Sequence, residues 1–205
     1  HYLIHNSMFH LFKALDLKIF FLINQTLSNP VFDSIMPLIT NKNNWILIII
    51  ILLFYLAIMN GRRGQIAFVI LIVVVGFTDS FSTFILKPYF GRIRPSHDIY
   101  EYINLLVAKG GKWSMPSNHA ANISAIAVVL SYFYDKMKIP LYSLAVIIAF
   151  SRVYVGVHYP ADVLLGGLIG YGMAWSILTL WVILKMRELK RGQTWVWYEG
   201  DLQNK

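Results

Sequence analysis

Apolar positions along this chain come in long blocks, not in the strict alternation of a half-buried strand or the one-sided stripe of a solvated helix. Five blocks, at 45–59, 65–87, 119–134, 139–157 and 162–186, predict membrane-spanning helices. They approach the roughly 20 apolar residues needed to cross a bilayer. A further stretch at 8–23 is apolar but interrupted by Lys13, Asp16 and Lys18, and reads either as a sixth span or as a helix lying in the interface. A polar loop at 24–44 follows it. Tight turns are predicted at 60–64 and 135–138, whereas 88–117 is a loop of about 30 residues without sustained apolar periodicity. Loops of that length in compact proteins are usually functional or disordered.

Composition agrees with this pattern. Of 205 residues, 57% are hydrophobic and 14% charged, which fits neither a solvated globule nor a disordered chain. There is no cysteine, so disulfides, thiolate zinc sites, iron–sulfur centres and cysteine nucleophiles are excluded. The chain opens on His1 rather than Met, which reads as a tag or a processed terminus, so the first few residues stay outside the fold reading. The expected fold is all-α, a polytopic membrane helix bundle in one domain over 1–205. Its parts are an N-terminal helix and outer loop (1–44), a helical core (45–186) and a cytoplasmic tail (187–205).

The net charge of +8 reads as topology-setting charge plus an anion site, not as a nucleic-acid surface. Alternation of the spans puts Arg62, Arg63, Lys136, Lys138, Lys185, Arg187, Lys190 and Arg191 on one side. The other side holds Lys42, Lys109 and Lys112, together with Lys87, Arg92, Arg94 and Arg152, which cluster with other ionisable groups. Setting those four aside as a site, the positive-inside rule makes the first side cytoplasmic. The long loop then faces outward, to the periplasm or cell exterior. Trp45, Trp113, Trp195 and Trp197 near the span ends read as an interfacial belt.

Ionisable residues are costly at membrane depth, and here they gather at the outer boundary. Lys87, Arg92 and Arg94 close one span; Ser117, Asn118 and His119 open the next; Arg152, His158 and Asp162 surround the turn between the last two. Arginine forks and a lysine point charge suit phosphate oxygens, and residues just before a helix offer free N–H groups to an anion. One histidine can attack phosphorus while a second protonates the leaving oxygen. Asp162, four residues after His158, can fix the imidazole tautomer. Arg92 either assists the phosphate or pairs within the loop. Asp79, inside an apolar helix, reads as a hydrogen-bonding or packing group. Gly166, Gly167, Gly170 and Gly172 read as sites of close helix packing.

Three motifs stand in order: Lys87-Pro-Tyr-Phe-Gly-Arg-Ile-Arg94-Pro95, Pro116-Ser117-Asn118-His119, and Ser151-Arg152 followed by His158 and Asp162. Together they resemble the K-x6-R-P, P-S-G-H and S-R-x5-H-x3-D signature of the type 2 phosphatidic acid phosphatase superfamily, the integral-membrane lipid phosphate phosphatases. The second motif departs at Asn118, where the family usually has Gly. The resemblance implies His158 as nucleophile, Asp162 as its orienter and His119 as general acid and then base. It also implies Lys87, Arg94, Arg152, Ser117 and Asn118 around the phosphate. It calls for no metal and no cofactor.

The stretch from Asn29 to Thr40 and the context around His158 look most like bacterial undecaprenyl-diphosphate phosphatases. The expected reaction is therefore hydrolysis of undecaprenyl diphosphate. Phosphatidylglycerophosphate, lipid A and lipid-to-lipid phosphate transfer are the alternatives, and the partners are a phosphorylated lipid and the bilayer. Vanadium haloperoxidases share the motifs but are soluble. A transporter or a lipid-binding membrane protein is the non-enzyme alternative.

Overall fold

The computed structural model describes residues 2–196 and, from His10 onward, their side chains, so Trp197 of the expected aromatic belt lies outside the described residues. The described residues are helical except for loops and one isolated antiparallel bridge between Ile93 and Trp113. In chain order the helices are α1 (Tyr2–Phe21), α2 (Pro30–Thr40), α3 (Ile46–Phe54), α4 (Gly61–Phe81), α5 (Lys87–Phe90), α6 (Pro95–Asp98), α7 (Asn118–Phe133), α8 (Lys138–Tyr154) and α9 (Pro160–Lys190).

Four continuous helical stretches are long and apolar enough to cross a membrane: Lys42–Met59, Gly61–Phe90, Asp135–Tyr154 and Pro160–Lys190. They match four of the expected spans and make this a multi-pass membrane protein. The fifth expected span is α7, which at 16 residues rises about 24 Å and sits at the centre of the bundle. Its Ala121, Ala125, Val129 and Phe133 are fully buried against α4 and α9. Large apolar side chains face outward on the surrounding helices, including Leu47, Phe84, Ile139, Leu164 and Leu168. Lipid covers such surface in a membrane protein, so the outer helices have no need of a polar face.

The loop expected at 24–44 contains α2. Asn29 caps it by accepting the Phe32 N–H at 3.0 Å, and Pro30 occupies its first turn. That Asn-Pro pair is a helix-start signal within the segment expected as a loop. Ahead of it, a widened turn at Leu22–Thr26 buries Asn24. The Asn24 amide donates to the carbonyls of Asn104 (2.8 Å) and Tyr154 (2.7 Å) and accepts the Asn104 N–H (2.9 Å). The long loop is thereby fastened to the end of α8.

Candidate active site

The first motif lies where one span ends. Pro88 lacks an N–H and crowds the preceding turn, and the helix widens to a π turn at Ser82–Leu86 just before it. Lys87 is buried there, and its ammonium donates to the carbonyls of Pro116 (2.8 Å), Trp113 (3.3 Å) and Ser114 (3.4 Å). All three of its donors hold the loop that leads into α7. Arg94 donates through Nε to the Trp113 carbonyl at 3.0 Å, and burial lowers its pKa from the ordinary value. Backbone bonds between Arg94 and Lys112 (3.1 Å) and between Ser114 and Arg92 (2.8 Å) close the loop on itself. The 88–117 segment is thus an ordered cap over this end of the bundle.

The second motif starts α7. Ser117 is its N-cap, and the Ser117 N–H donates to the Asp162 carbonyl at 3.0 Å, tying this turn to the start of α9. Close approach depends on two glycines. A Cβ on Gly166 would stand 2.5 Å from the Ser117 carbonyl oxygen, and one on Gly170 would stand 1.9 Å from that of Ala121. Gly167 and Gly172, also expected at close contacts, face open space. Asn118 has ordinary negative φ, so no left-handed conformation is demanded where the family usually has Gly. Its amide donates to Asp79 Oδ1 (2.9 Å) and Thr83 Oγ1 (2.6 Å) on the α4 helix and its extension, which commits both amide hydrogens away from a phosphate. The free N–H groups of the first turn of α7 remain for an anion. Asn122 donates to the same Asp79 oxygen at 2.9 Å.

The third motif spans the turn from α8 to α9. Gly156 takes φ +85°, which only glycine adopts without strain, and brings His158 back beneath the cap. His158 is 1% exposed and Asp162 is fully buried, with His158 Nδ1 at 3.5 Å from Asp162 Oδ2. Asp162 Oδ2 also accepts the Ser114 hydroxyl and the Tyr159 N–H at 2.8 Å, and Oδ1 accepts Arg92 Nη1 at 3.1 Å. Burial pushes the His158 pKa down to about 3; Asp162 opposes the shift and the Arg94 and Arg152 charges add to it. The ring is therefore neutral at physiological pH, with Nδ1 toward the carboxylate and Nε2 free to act as nucleophile. Arg152 is buried and donates from Nη1 to Thr40 Oγ1 at 2.7 Å. His119, one residue into α7, lies within electrostatic reach of Arg152 and Arg94. Among the described residues no three His, Asp or Glu side chains converge as metal ligands.

Arg92 differs from the expected residues. Nη2 pairs with Asp16 of α1, Nη1 pairs with Asp162, and the guanidinium carbon lies 4.0 Å from the Tyr159 ring centroid. Arg92 pairs with carboxylates, but on α1 and α9 and not within the loop as one of its two expected roles had it. Sequence reasoning missed Asp16, Thr40 and Ser114. Asp16 carried a signal, an acid inside an apolar helix; Thr40 and Ser114 carried none.

A profile of the PAP2 superfamily matches residues 64–186, a stretch that contains all three motifs. The chain belongs to the PAP2 superfamily. It is similar to the lipid A 4′-phosphatase of Porphyromonas gingivalis, at 27% identity over 82% of this chain and 74% of that protein. It is also similar to the undecaprenyl-diphosphatase BcrC of Bacillus subtilis, at 28% identity over 66% of this chain and 68% of that one. Among solved structures, Aquifex aeolicus LpxE superposes with a TM-score of 0.65 at 29% identity, covering 80% of this chain and 95% of that one. α1, α2 and α3 precede the matched region of this PAP2 phosphatase, yet Asp16 and Thr40 reach its site from there.

Proposed function

We propose that this PAP2 phosphatase cleaves a phosphate ester on a membrane-lipid head group through a phosphohistidine on His158, without a metal ion. The observation that carries the reading is the fully buried Asp162 carboxylate on the Nδ1 side of a buried His158, with cations gathered around them. Nε2 attacks phosphorus and a P–N bond forms as the P–O bond to the lipid breaks, while His119 protonates the departing oxygen. His119 then takes a proton from water, whose oxygen attacks phosphorus and breaks the P–N bond. Phosphate leaves and both histidines return to their starting state. Arg94, Arg152 and the first N–H groups of α7 stabilise charge on the equatorial oxygens, with Lys87 adding its positive charge from behind the loop.

For the substrate we favour a lipid A-type phosphate, supported by the likeness to the Porphyromonas gingivalis lipid A 4′-phosphatase. Undecaprenyl diphosphate is the second reading, supported by the likeness to BcrC. The excess of Arg and Lys at the opposite end of the bundle supports a site opening on the periplasmic or outer side. The test is phosphate release by purified protein in detergent with EDTA, on lipid A, undecaprenyl diphosphate and phosphatidylglycerophosphate in parallel. Release from one lipid, reduced at least about 10³-fold in His158→Ala, is expected. Release that survives His158→Ala rejects the histidine mechanism.

A further inference from the structure

We propose that Asp16 of α1 is a positioning residue for the nucleophile, acting through Arg92 and the start of α9 on Asp162; this rests on the His158 mechanism above. Two separate contacts converge on one carboxylate. Asp16 Oδ2 pairs with Arg92 Nη2, and the same guanidinium reaches Asp162 Oδ1 through Nη1 at 3.1 Å. Asp16 Oδ1 meanwhile accepts the Ala161 N–H at 2.8 Å.

Ala161 lies in the first turn of α9, immediately before Asp162, and Tyr159 at the N-cap has no side chain suited to capping. Beside Asp162, which takes the Tyr159 N–H, Asp16 thus supplies from another helix a second acceptor and a second negative charge at the start of α9. It fixes the backbone next to Asp162 and, through Arg92, the side chain of Asp162 as well. Arg92 cannot drift, because it is pinned between two carboxylates over the Tyr159 ring. A lysine could not reproduce this bridge, since one ammonium lacks the planar fork that meets two acids from two nitrogens.

Asp16 and its helix lie outside the region shared with the superfamily profile, which begins at residue 64. The charge that seemed to interrupt an apolar helix is the group that joins this helix to the site. Asp16 is nearly buried, with 10% side-chain exposure, and its polar contacts are to the Arg92 guanidinium and the α9 backbone. Its effect should therefore fall on the chemical step and not on anion binding.

The experiment uses the full chain in detergent. Asp16→Asn keeps an acceptor for the Ala161 N–H and removes the charge that holds Arg92; Asp16→Glu restores the charge. We expect kcat about tenfold lower in Asp16→Asn with KM within about twofold, and substantial recovery in Asp16→Glu. The inhibition constant of orthophosphate should stay within about twofold, while Arg152→Ala weakens it strongly. Because Asp16 and Arg92 act in series, adding Asp16→Asn to Arg92→Gln should cost little beyond Arg92→Gln alone. Fully additive losses, or an orthophosphate affinity that falls as far as kcat does, overturn the proposal. So does an unchanged kcat in a variant with wild-type thermal stability. An inactive wild-type protein would instead reject the phosphatase reading itself.

Discussion

His158 and His119 sit at the same end of the bundle, yet the first turns its ring to a buried carboxylate and the second is placed through the side chain of its neighbour. His158 is enclosed: its Nδ1 faces Asp162, and that carboxylate is fixed by Ser114, Tyr159 and Arg92. His119 has no hydrogen-bond partner on either ring nitrogen among the described residues. Its neighbour Asn118 carries the anchor instead, through Asp79 and Thr83. The difference follows from what each group has to do. A nucleophile gains from one fixed, neutral, dry geometry, whereas an acid that later becomes a base must meet a leaving oxygen and then a water. The carboxylates differ in the same way: Asp162 is held by a guanidinium, Asp79 by two neutral amides.

The strongest test of this contrast separates the two histidines by leaving group. In His119→Ala, turnover of the lipid should fall about 10²–10⁴-fold, the usual contribution of general acid–base catalysis. An aryl phosphate whose leaving group needs no protonation should still phosphorylate His158, with a loss of phosphoenzyme formation below about tenfold. His158→Ala should abolish phosphoenzyme formation with both substrates. Equal losses in His119→Ala with both substrates would mean that His119 positions the phosphate and does not donate a proton.

Much of this arrangement was legible in the sequence, and the reason is physical. A membrane makes each apolar block and each boundary charge costly to misplace, so the blocks at 65–87, 139–157 and 162–186 closely match the observed helices. The three motifs carry their chemistry at fixed spacing within one helix end or one turn, which is why His158 and Asp162 could be paired from a four-residue interval. What stayed hidden is long-range pairing. Asp16 stands out locally only as an acid inside an apolar helix; its role comes from Arg92, 76 residues away. Thr40 reaches Arg152 across 112 residues. Asn118 could be seen as a departure from the family pattern, but that its amide turns to Asp79 and not to the phosphate depended on the facing of two helices.

The acid's half should respond in stability more than in rate. Asn118→Ala removes both donors that join the first turn of α7 to the α4 helix, leaving Asn122 as the remaining amide on Asp79 Oδ1. Polar contacts between membrane helices contribute about 0.6–2 kcal/mol, so the thermal midpoint in detergent should fall by a few degrees. The rate should fall less than about tenfold, because His119 keeps its place on α7. Asp162→Asn should show the reverse balance, a large loss of rate from disturbing the ring of His158. If Asn118→Ala proves as damaging to kcat as Asp162→Asn, the amide touches the reacting phosphate and the contrast between the halves fails.

The smallest effect concerns protons on the nucleophile's half. The folded protein holds His158 at a pKa of about 3, below the ordinary 6.5 of the unfolded chain. Between those values the unfolded chain binds a proton that the folded protein refuses, so acidification favours unfolding. The stability from a neutral His158 is therefore complete above pH 6.5 and is lost as the pH falls toward 3. The thermal midpoint of the wild type should drop more steeply between about pH 7 and 4.5 than that of His158→Gln, by a few degrees at the acid end. The acid limb of kcat/KM should likewise show no inflection from His158 near 6.5, and any inflection there belongs to the substrate phosphate or to another group. Parallel stability curves for the two proteins would mean that His158 titrates like an exposed histidine and that its enclosure does not hold it neutral.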